Sequence, residues 1–173
     1  GETPVHRLFD AKNTMLRASL IPTSATCFRR EAAMEVGCMP AQFRTGQDWL
    51  FWLRLSEKGR FVFYVDDLAL HHRHDDNLTR PENNEGRQRR KMAAFAAMLD
   101  GSFKLSLTEQ QRQRVHTLIK EVERDWRYQL SCRGFPAYVK GIAEAKPITG
   151  AGLAGHVLAD PKSLVRALFK KPV

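Results

Sequence analysis

The pattern of apolar and polar positions divides the chain into a mixed first part and a helical second part. In the first part, short apolar runs between turn residues predict a strand over residues 21–28, a helix over residues 30–36 and a buried strand over residues 60–65. Residues 1–20 show no sustained period. We expect a loop there, with one helical turn near residues 13–18.

Beyond Pro81, apolar residues recur at helical spacing. The predicted helices begin and end at the usual capping signals. They cover residues 83 or 84 to 99, 106 to 133 after the capping box Ser106-Leu107-Thr108-Glu109, 135 to 145 and 161 to 171, with a flexible link over residues 147–155. The chain is therefore predicted to be an α+β, mostly helical protein, divided into residues 1–82 and 83–173.

One further segment of the first part is apolar on nearly every side. It follows Gly46 and contains Asp48 and then Trp49, Leu50, Phe51, Trp52, Leu53 and Leu55. A helix with this pattern must be buried on most of its surface. A carboxylate at its start can cap the free backbone N–H groups of the first turn, or it can act as a positioned base. The residues of the segment leave both interpretations of Asp48 open.

Composition and charge narrow the class of protein. The chain has 173 residues, a formal net charge of +9 and a pI near 9.8, which favour anionic partners. Its three cysteines form an odd set without a Cys-x-x-Cys pair, which argues against a disulfide framework or a zinc cage and favours a cytoplasmic setting. No apolar run approaches the roughly 18 to 20 residues that span a bilayer. A start without Met suggests a fragment.

Two further patterns are candidates for ligand binding. Residues 150–155 match G-x-G-x-x-G, but no buried strand precedes them and the chain ends before a ribose-binding acid could follow, so we interpret the match as chance. His71, His72 and His74 lie beside two aspartates and could bind a metal weakly or form a solvated loop. Arg73 and His74 could also hold phosphate oxygens, because both donate hydrogen bonds to anions.

The order of these features resembles a known family. The pattern runs through Ile21, Ser24, Phe28-Arg29-Arg30-Glu31 and Val36-Gly37, then Gln47-Asp48, Arg54-Leu55 and Gly59, then the apolar residues 61–65, and finally Arg73-His74 and Thr79. It resembles the second half of the catalytic domain in family 2 glycosyltransferases. The likeness covers about residues 4 to 80, and it implies an A-type glycosyltransferase fold, present here as a half-domain followed by a helical C-terminal region.

The resemblance implies a role for each matching residue. Asp48 matches the general base that takes a proton from the acceptor hydroxyl as it attacks the sugar carbon of a nucleotide-sugar with inversion. Arg73 and His74 match the element that closes over the donor diphosphate, and His74 could complete a metal site. Trp49 and Trp52 are expected to form part of the wall that binds a saccharide or lipid-linked acceptor, because aromatic faces pack against sugar rings.

The chain departs from the family pattern in two ways. Gln47 stands where the family usually has Glu, and no Asp-x-Asp metal motif occurs in the sequence. The nucleotide-binding half of the family's domain is therefore absent from these residues. The resemblance implies that Mg²⁺ or Mn²⁺ acts in the complete enzyme and that this chain alone is inactive.

Expected partners follow from the missing half and from the basic charge. A truncated sheet leaves an exposed edge, which predicts self-association into a homo-oligomer. Residues 160–171 form a basic amphipathic helix that either contacts the inner face of the cell membrane peripherally or packs on the helical region. An alternative function is a non-catalytic module that binds nucleic acid or anionic surfaces through the basic residues 87–91.

Overall fold

The structure is a computed structural model that describes residues 7–43, 46–63, 69–70 and 84–170. The chain forms two compact units. The first contains Gly1–Asn77 and Phe103–Gln111, and the second contains Leu78–Ser102 and Arg112–Val173. The division predicted after residue 82 stays a prediction. The first compact unit also includes Phe103–Gln111, a segment that lies within the predicted second part.

The first unit combines short helices with a small sheet. Its elements are β1 (Arg7–Phe9), α1 (Ala11–Arg17), a 3₁₀ turn (Thr23–Ala25), α2 (Arg30–Glu35), α3 (Gln47–Leu55) and β2 (Phe61–Phe63). The two strands pair antiparallel, with Arg7 opposite Phe63, and α1 packs against α3. The helix predicted over residues 30–36 is confirmed as α2.

One strand prediction for the first unit is wrong, and a second is right about the strand but wrong about its burial. Residues 21–28 contain a 3₁₀ turn instead of a strand, because the Thr26 hydroxyl donates to the Pro22 carbonyl at 2.7 Å and folds the segment back on itself. The predicted buried strand is present as β2, but Val62 and Phe63 are 54% and 57% exposed. A two-stranded sheet of three-residue strands is too small to cover both of its faces.

Every secondary-structure element of the second unit is a helix in the part of the chain that the structure describes. It contains α4 (Asn84–Leu99), most of α5 (Glu109–Cys132), α6 (Phe135–Thr149), α7 (Leu153–Ala159) and α8 (Pro161–Phe169). Helix α6 packs against α4, α7 and α8, and α7 packs against α8. The predicted stripe of α5 is buried at Val115, Leu118, Val122 and Trp126. The prediction of a mostly helical protein is confirmed.

The flexible link predicted over residues 147–155 is wrong. Helix α6 continues to Thr149, and α7 begins at Leu153. His156 of α7 is only 2% exposed, and its ring lies 3.2 Å from the Thr149 hydroxyl. This buried contact ties the segment to the end of α6. The pattern of spaced glycines therefore lies at the start of a helix that follows another helix.

Helix α5 begins with a capping box, but not at the predicted residues. The Thr108 hydroxyl accepts a hydrogen bond from the Gln111 backbone N–H at 3.2 Å, and the Gln111 side chain accepts from the Thr108 N–H at 3.1 Å. The box predicted at Ser106 is displaced by two residues. Ser106 instead donates its backbone N–H to Glu57 at 2.8 Å, and its carbonyl accepts from Lys12.

Candidate functional site

A left-handed glycine positions Asp48 in the first turn of α3. Gly46 has φ of +79°, a conformation that residues with a Cβ adopt rarely, and it is the N-cap of the helix. Its carbonyl accepts the first helical hydrogen bond, from the Leu50 N–H at 3.1 Å. Asp48 is therefore the second residue of the helix, and the N-cap position itself belongs to Gly46.

The Asp48 carboxylate is oriented by the backbone next to it. Its Oδ1 accepts a hydrogen bond from the Trp49 backbone N–H at 2.8 Å, so it satisfies one of the free donors of the first turn. Asp48 is part-exposed, whereas Trp49, Leu50, Phe51, Trp52 and Leu53 behind it are buried. One carboxylate oxygen is thus held by the helix while the group stays in reach of solvent. The hydrogen bond shows a capping contribution of Asp48, and its role as a base stays a prediction.

The two tryptophans predicted to bind an acceptor are buried. Trp49 is 6% exposed and its indole N–H donates to the Met15 carbonyl at 2.5 Å, whereas Trp52 is fully buried. Trp52 packs against the Phe51 ring, with centroids 4.8 Å apart. Both rings therefore stabilise the packing of α3 in this structure. Their contact with an acceptor stays a prediction.

Phe28 is an exposed aromatic ring that the sequence analysis did not single out as a ligand-binding residue. Its ring meets Phe51 and Trp52 edge-on, with centroids 5.3 Å and 5.5 Å away. Phe28, Phe51 and Trp52 form an aromatic cluster, and the part of it that reaches the surface is Phe28, which is 46% exposed. The available signal was its position directly before the Arg29-Arg30-Glu31 run of the family pattern.

The guanidinium of Arg54, an arginine that matches the family pattern, lies near the Phe103 ring and Gly37. Its guanidinium carbon lies 5.7 Å from the centre of the Phe103 ring. Its Nη2 lies 3.6 Å from the position that a Cβ on Gly37 would occupy. Gly37 has φ of +78° and ends α2. The glycine and the arginine of the pattern therefore meet at the end of α2.

The structure does not test the residues that were predicted to bind phosphate or metal. Arg73 and His74 lie outside the described residues. Within the described ranges, no group of three or more His, Cys, Asp or Glu side chains could hold a metal ion. The divalent metal that the resemblance implies stays a prediction.

A second group of polar side chains surrounds the buried Arg127 in the second unit, where it joins α5 to the three helices that follow. Arg127 is 6% exposed and its guanidinium lies 3.5 Å from Glu123, 3.4 Å from His156 Nδ1 and 3.8 Å from Asp160. The other ring nitrogen of His156 lies 3.2 Å from the Thr149 hydroxyl. We call Arg127, Glu123, His156, Asp160 and Thr149 the Arg127 cluster.

Burial and charge shift two pKa values in the Arg127 cluster in opposite directions. Burial lowers the pKa of His156, and the adjacent Arg127 charge lowers it further. Burial raises the pKa of Glu123, although Arg127 and Lys120 oppose that change. The folded protein therefore favours a neutral imidazole next to the guanidinium.

The basic run over residues 87–91 is largely engaged with its own unit. Arg89 forms an ion pair with Glu144 at 2.7 Å, and the Lys91 ammonium lies 5.8 Å from the centre of the Phe95 ring. Burial is the largest cause that lowers the pKa of Lys91, and Arg87 adds to it. Arg89 and Lys91 therefore contribute to the packing of α4, whereas Arg87 is exposed.

No family model, no curated protein and no solved structure matches the chain. No helix among the described residues is long and apolar enough to cross a membrane. What the chain does is therefore inferred from its own residues and their surroundings.

Proposed function

We propose that this chain is the acceptor-side half of an inverting family 2 glycosyltransferase with an A-type fold, and that Asp48 is its general base. The observation that carries the proposal is the state of the Asp48 carboxylate. It is part-exposed, it accepts a hydrogen bond from the Trp49 N–H at 2.8 Å, and it belongs to a helix whose apolar residues are all buried. Catalysis by a positioned base requires a carboxylate that is held in place by rigid structure in this way.

The proposed reaction transfers a sugar from a nucleotide-sugar to a hydroxyl of a saccharide or glycolipid. The Asp48 carboxylate takes the proton of the acceptor hydroxyl, whose oxygen forms a bond to the anomeric carbon. The bond from that carbon to the diphosphate breaks, and the nucleoside diphosphate leaves with the electron pair. Attack opposite the leaving group inverts the anomeric configuration. Positioned base catalysis typically contributes about 10²- to 10⁴-fold in rate.

The donor side of the reaction is assigned to residues outside the described part of the chain. Arg73 and His74 are proposed to contact the donor diphosphate, and the nucleotide-binding strands and the divalent metal belong to the missing half. On the acceptor side, Phe28 is a better-placed ring than Trp49 or Trp52, because 46% of its surface is open to a sugar face.

The test is the Asp48→Asn substitution in a protein that also contains the nucleotide-binding half. The amide oxygen can still accept from the Trp49 N–H, so we expect the fold and stability to persist. Transfer should fall by about 10²- to 10⁴-fold because an amide does not take up the proton. Release of nucleoside diphosphate from a panel of nucleotide-sugars, measured with and without acceptor, reports the loss.

Asp10→Asn is the matched control. Asp10 caps α1 in the same unit, where its side chain accepts from the Asn13 N–H at 3.3 Å, and Asn is an equally good cap. This variant should transfer sugar within a few-fold of the unchanged protein. If Asp48→Asn behaves the same way, Asp48 only stabilises the helix and the proposal is wrong.

The alternative function of a nucleic-acid-binding module rests on the net charge of +9 and on the basic run over residues 87–91. The basic run over residues 87–91 is half-buried for the most part and includes an ion pair to Glu144. Salt-dependent binding of this chain to duplex or single-stranded nucleic acid would revive that alternative.

A further inference from the structure

Helix α8 turns three apolar side chains to solvent, while Leu164 is half-buried. Val165, Leu168 and Phe169 are 53%, 54% and 83% exposed, whereas Ser163 and Ala167 are buried. Because residues i, i+3 and i+4 share one face of a helix, the three apolar side chains form one outward stripe. We call Val165, Leu168 and Phe169 the apolar stripe of α8.

The orientation of α8 is fixed by polar contacts on its inward side. Asp160 caps the helix and accepts from the Ser163 N–H and hydroxyl at 3.3 Å and 2.7 Å. Arg166 donates to the Ser131 hydroxyl at 3.0 Å, and its guanidinium carbon lies 4.4 Å from the centre of the Tyr128 ring. A rotation that buried the apolar stripe would break these contacts. The stripe is therefore exposed because of how the second unit folds.

The charge around the apolar stripe is positive. Lys162 and Lys170 are exposed on α8, and the only acidic residue from 150 to 170 is Asp160, which is engaged in the cap. Leu158, near the end of α7, is also 85% exposed. An apolar stripe flanked by lysines is complementary to a surface that is anionic outside and apolar beneath.

We propose that α8 docks on an anionic lipid bilayer and lies in the plane of its interface. Val165, Leu168 and Phe169 enter the boundary between headgroups and acyl chains, while Lys162 and Lys170 contact anionic headgroups. A helix of nine residues can lie along this boundary without crossing the bilayer. The proposal does not depend on the proposed transferase activity, because no residue of the proposed active site takes part.

Co-sedimentation of the whole chain with lipid vesicles tests the proposal. Vesicles of phosphatidylcholine and phosphatidylserine should bind the protein, and vesicles of phosphatidylcholine alone should bind it much more weakly. Leu168→Gln with Phe169→Gln should raise the lipid concentration for half-maximal binding at least about tenfold. Lys162→Gln with Lys170→Gln should raise it about 20- to 30-fold at low salt, and far less at high salt.

The control is Leu20→Gln with Met34→Gln, which removes two side chains of similar exposure, 57% and 61%, in the first unit. This variant should bind like the unchanged protein, and circular dichroism should report the same helicity for every variant. The proposal is overturned if phosphatidylserine does not increase binding, or if loss of the apolar stripe leaves binding unchanged. It is also overturned if vesicles bind nothing while light scattering reports a dimer that the stripe variant dissociates, because a second copy then covers the stripe.

Discussion

His156 is a buried imidazole held between a cation and a hydroxyl. Its Nδ1 lies 3.4 Å from the Arg127 guanidinium and its Nε2 lies 3.2 Å from the Thr149 hydroxyl. A proton on Nδ1 would remove the acceptor for Arg127 and place two positive charges side by side. Glu123 and Asp160 also face Arg127, at 3.5 Å and 3.8 Å, and they reduce this repulsion without removing the cost of burial.

We predict that acid destabilises the second unit through His156. The pKa of His156 is lowered from its ordinary 6.5 by burial and by Arg127, so the unfolded chain binds a proton that the folded chain does not. This contribution to the free energy of unfolding is complete above pH 6.5 and is lost as the pH falls toward the folded pKa. The loss approaches at most about 1.4 kcal/mol per pH unit. Urea unfolding from pH 7.5 to 5.5 measures it.

His156→Gln should flatten this pH dependence, because the amide keeps hydrogen-bonding groups near Arg127 and Thr149 but does not titrate. Glu123, whose pKa is raised by burial, acts in the opposite sense toward lower pH, since its protonation relieves a buried charge. The slope of the variant should therefore be near zero or reversed. His116→Gln, on the exposed face of α5, is the matched control. An unchanged slope in His156→Gln would refute the assignment.

At the scale of elements, the start of α5 shows how a local signal can shift. Two overlapping sequences, from Ser106 to Glu109 and from Thr108 to Gln111, both satisfy the capping-box spacing. The backbone of Ser106 is engaged by Glu57 and Lys12, so the chain enters the helix two residues later. Contacts between segments far apart in the sequence decided between two caps of similar intrinsic quality.

We predict that Thr108→Ala lowers the free energy of unfolding by about 1 kcal/mol, because the Gln111 N–H loses its side-chain acceptor. Thr117→Ala makes the same chemical change in the exposed middle of α5 and should instead stabilise slightly, by up to about 0.5 kcal/mol, through helix propensity. Chemical denaturation of both variants measures the difference. Equal effects would show that Thr108 is not a cap.

At the scale of the whole molecule, the sheet among the described residues consists of two short antiparallel strands, β1 and β2. Strand β2 pairs with β1 on one side, and Val62 and Phe63 are more than half exposed. Unpaired backbone groups beside exposed apolar side chains promote pairing with another chain. The homo-oligomer stays a prediction, which the exposure of Val62 and Phe63 on β2 supports.

We predict that the protein self-associates at high concentration and that Val62→Lys weakens this association several-fold, because a charge on an edge strand disfavours pairing. Leu20→Lys, at a residue of similar exposure outside the strands, should leave it unchanged. Light scattering over a concentration series measures the association. A monomer at every concentration would contradict the prediction.

The helices could be predicted from sequence better than the strands. Helices α2 and α4 and the stripe of α5 follow from local spacing and capping residues, which act within a few turns of the same segment. The strand expected over residues 21–28 did not form, because a strand needs a partner and Thr26 bonds locally to Pro22 instead. Strand β1 lies in a segment that was predicted to be a loop, because β1 forms by pairing with a segment more than 50 residues away and has no local signal of its own.

The features of the candidate site also divide into those that the sequence predicts and those that depend on tertiary packing. That α3 is buried and carries a carboxylate in its first turn was determined by the sequence, through its apolar run and Gly46. That Trp49 and Trp52 lie inside, and that Phe28 carries the aromatic cluster to the surface, was decided by packing between separate elements.

The direction in which α8 faces was likewise decided by the tertiary structure. Its amphipathic pattern is written in the sequence, and such a pattern ordinarily turns its apolar side inward. The contacts of Asp160, Arg166 and the small residues Ser163 and Ala167 turn that side outward instead. Local periodicity specifies which residues share a face, because neighbours along one helix set it. Which neighbour or solvent that face meets depends on every other element that competes for the same contact.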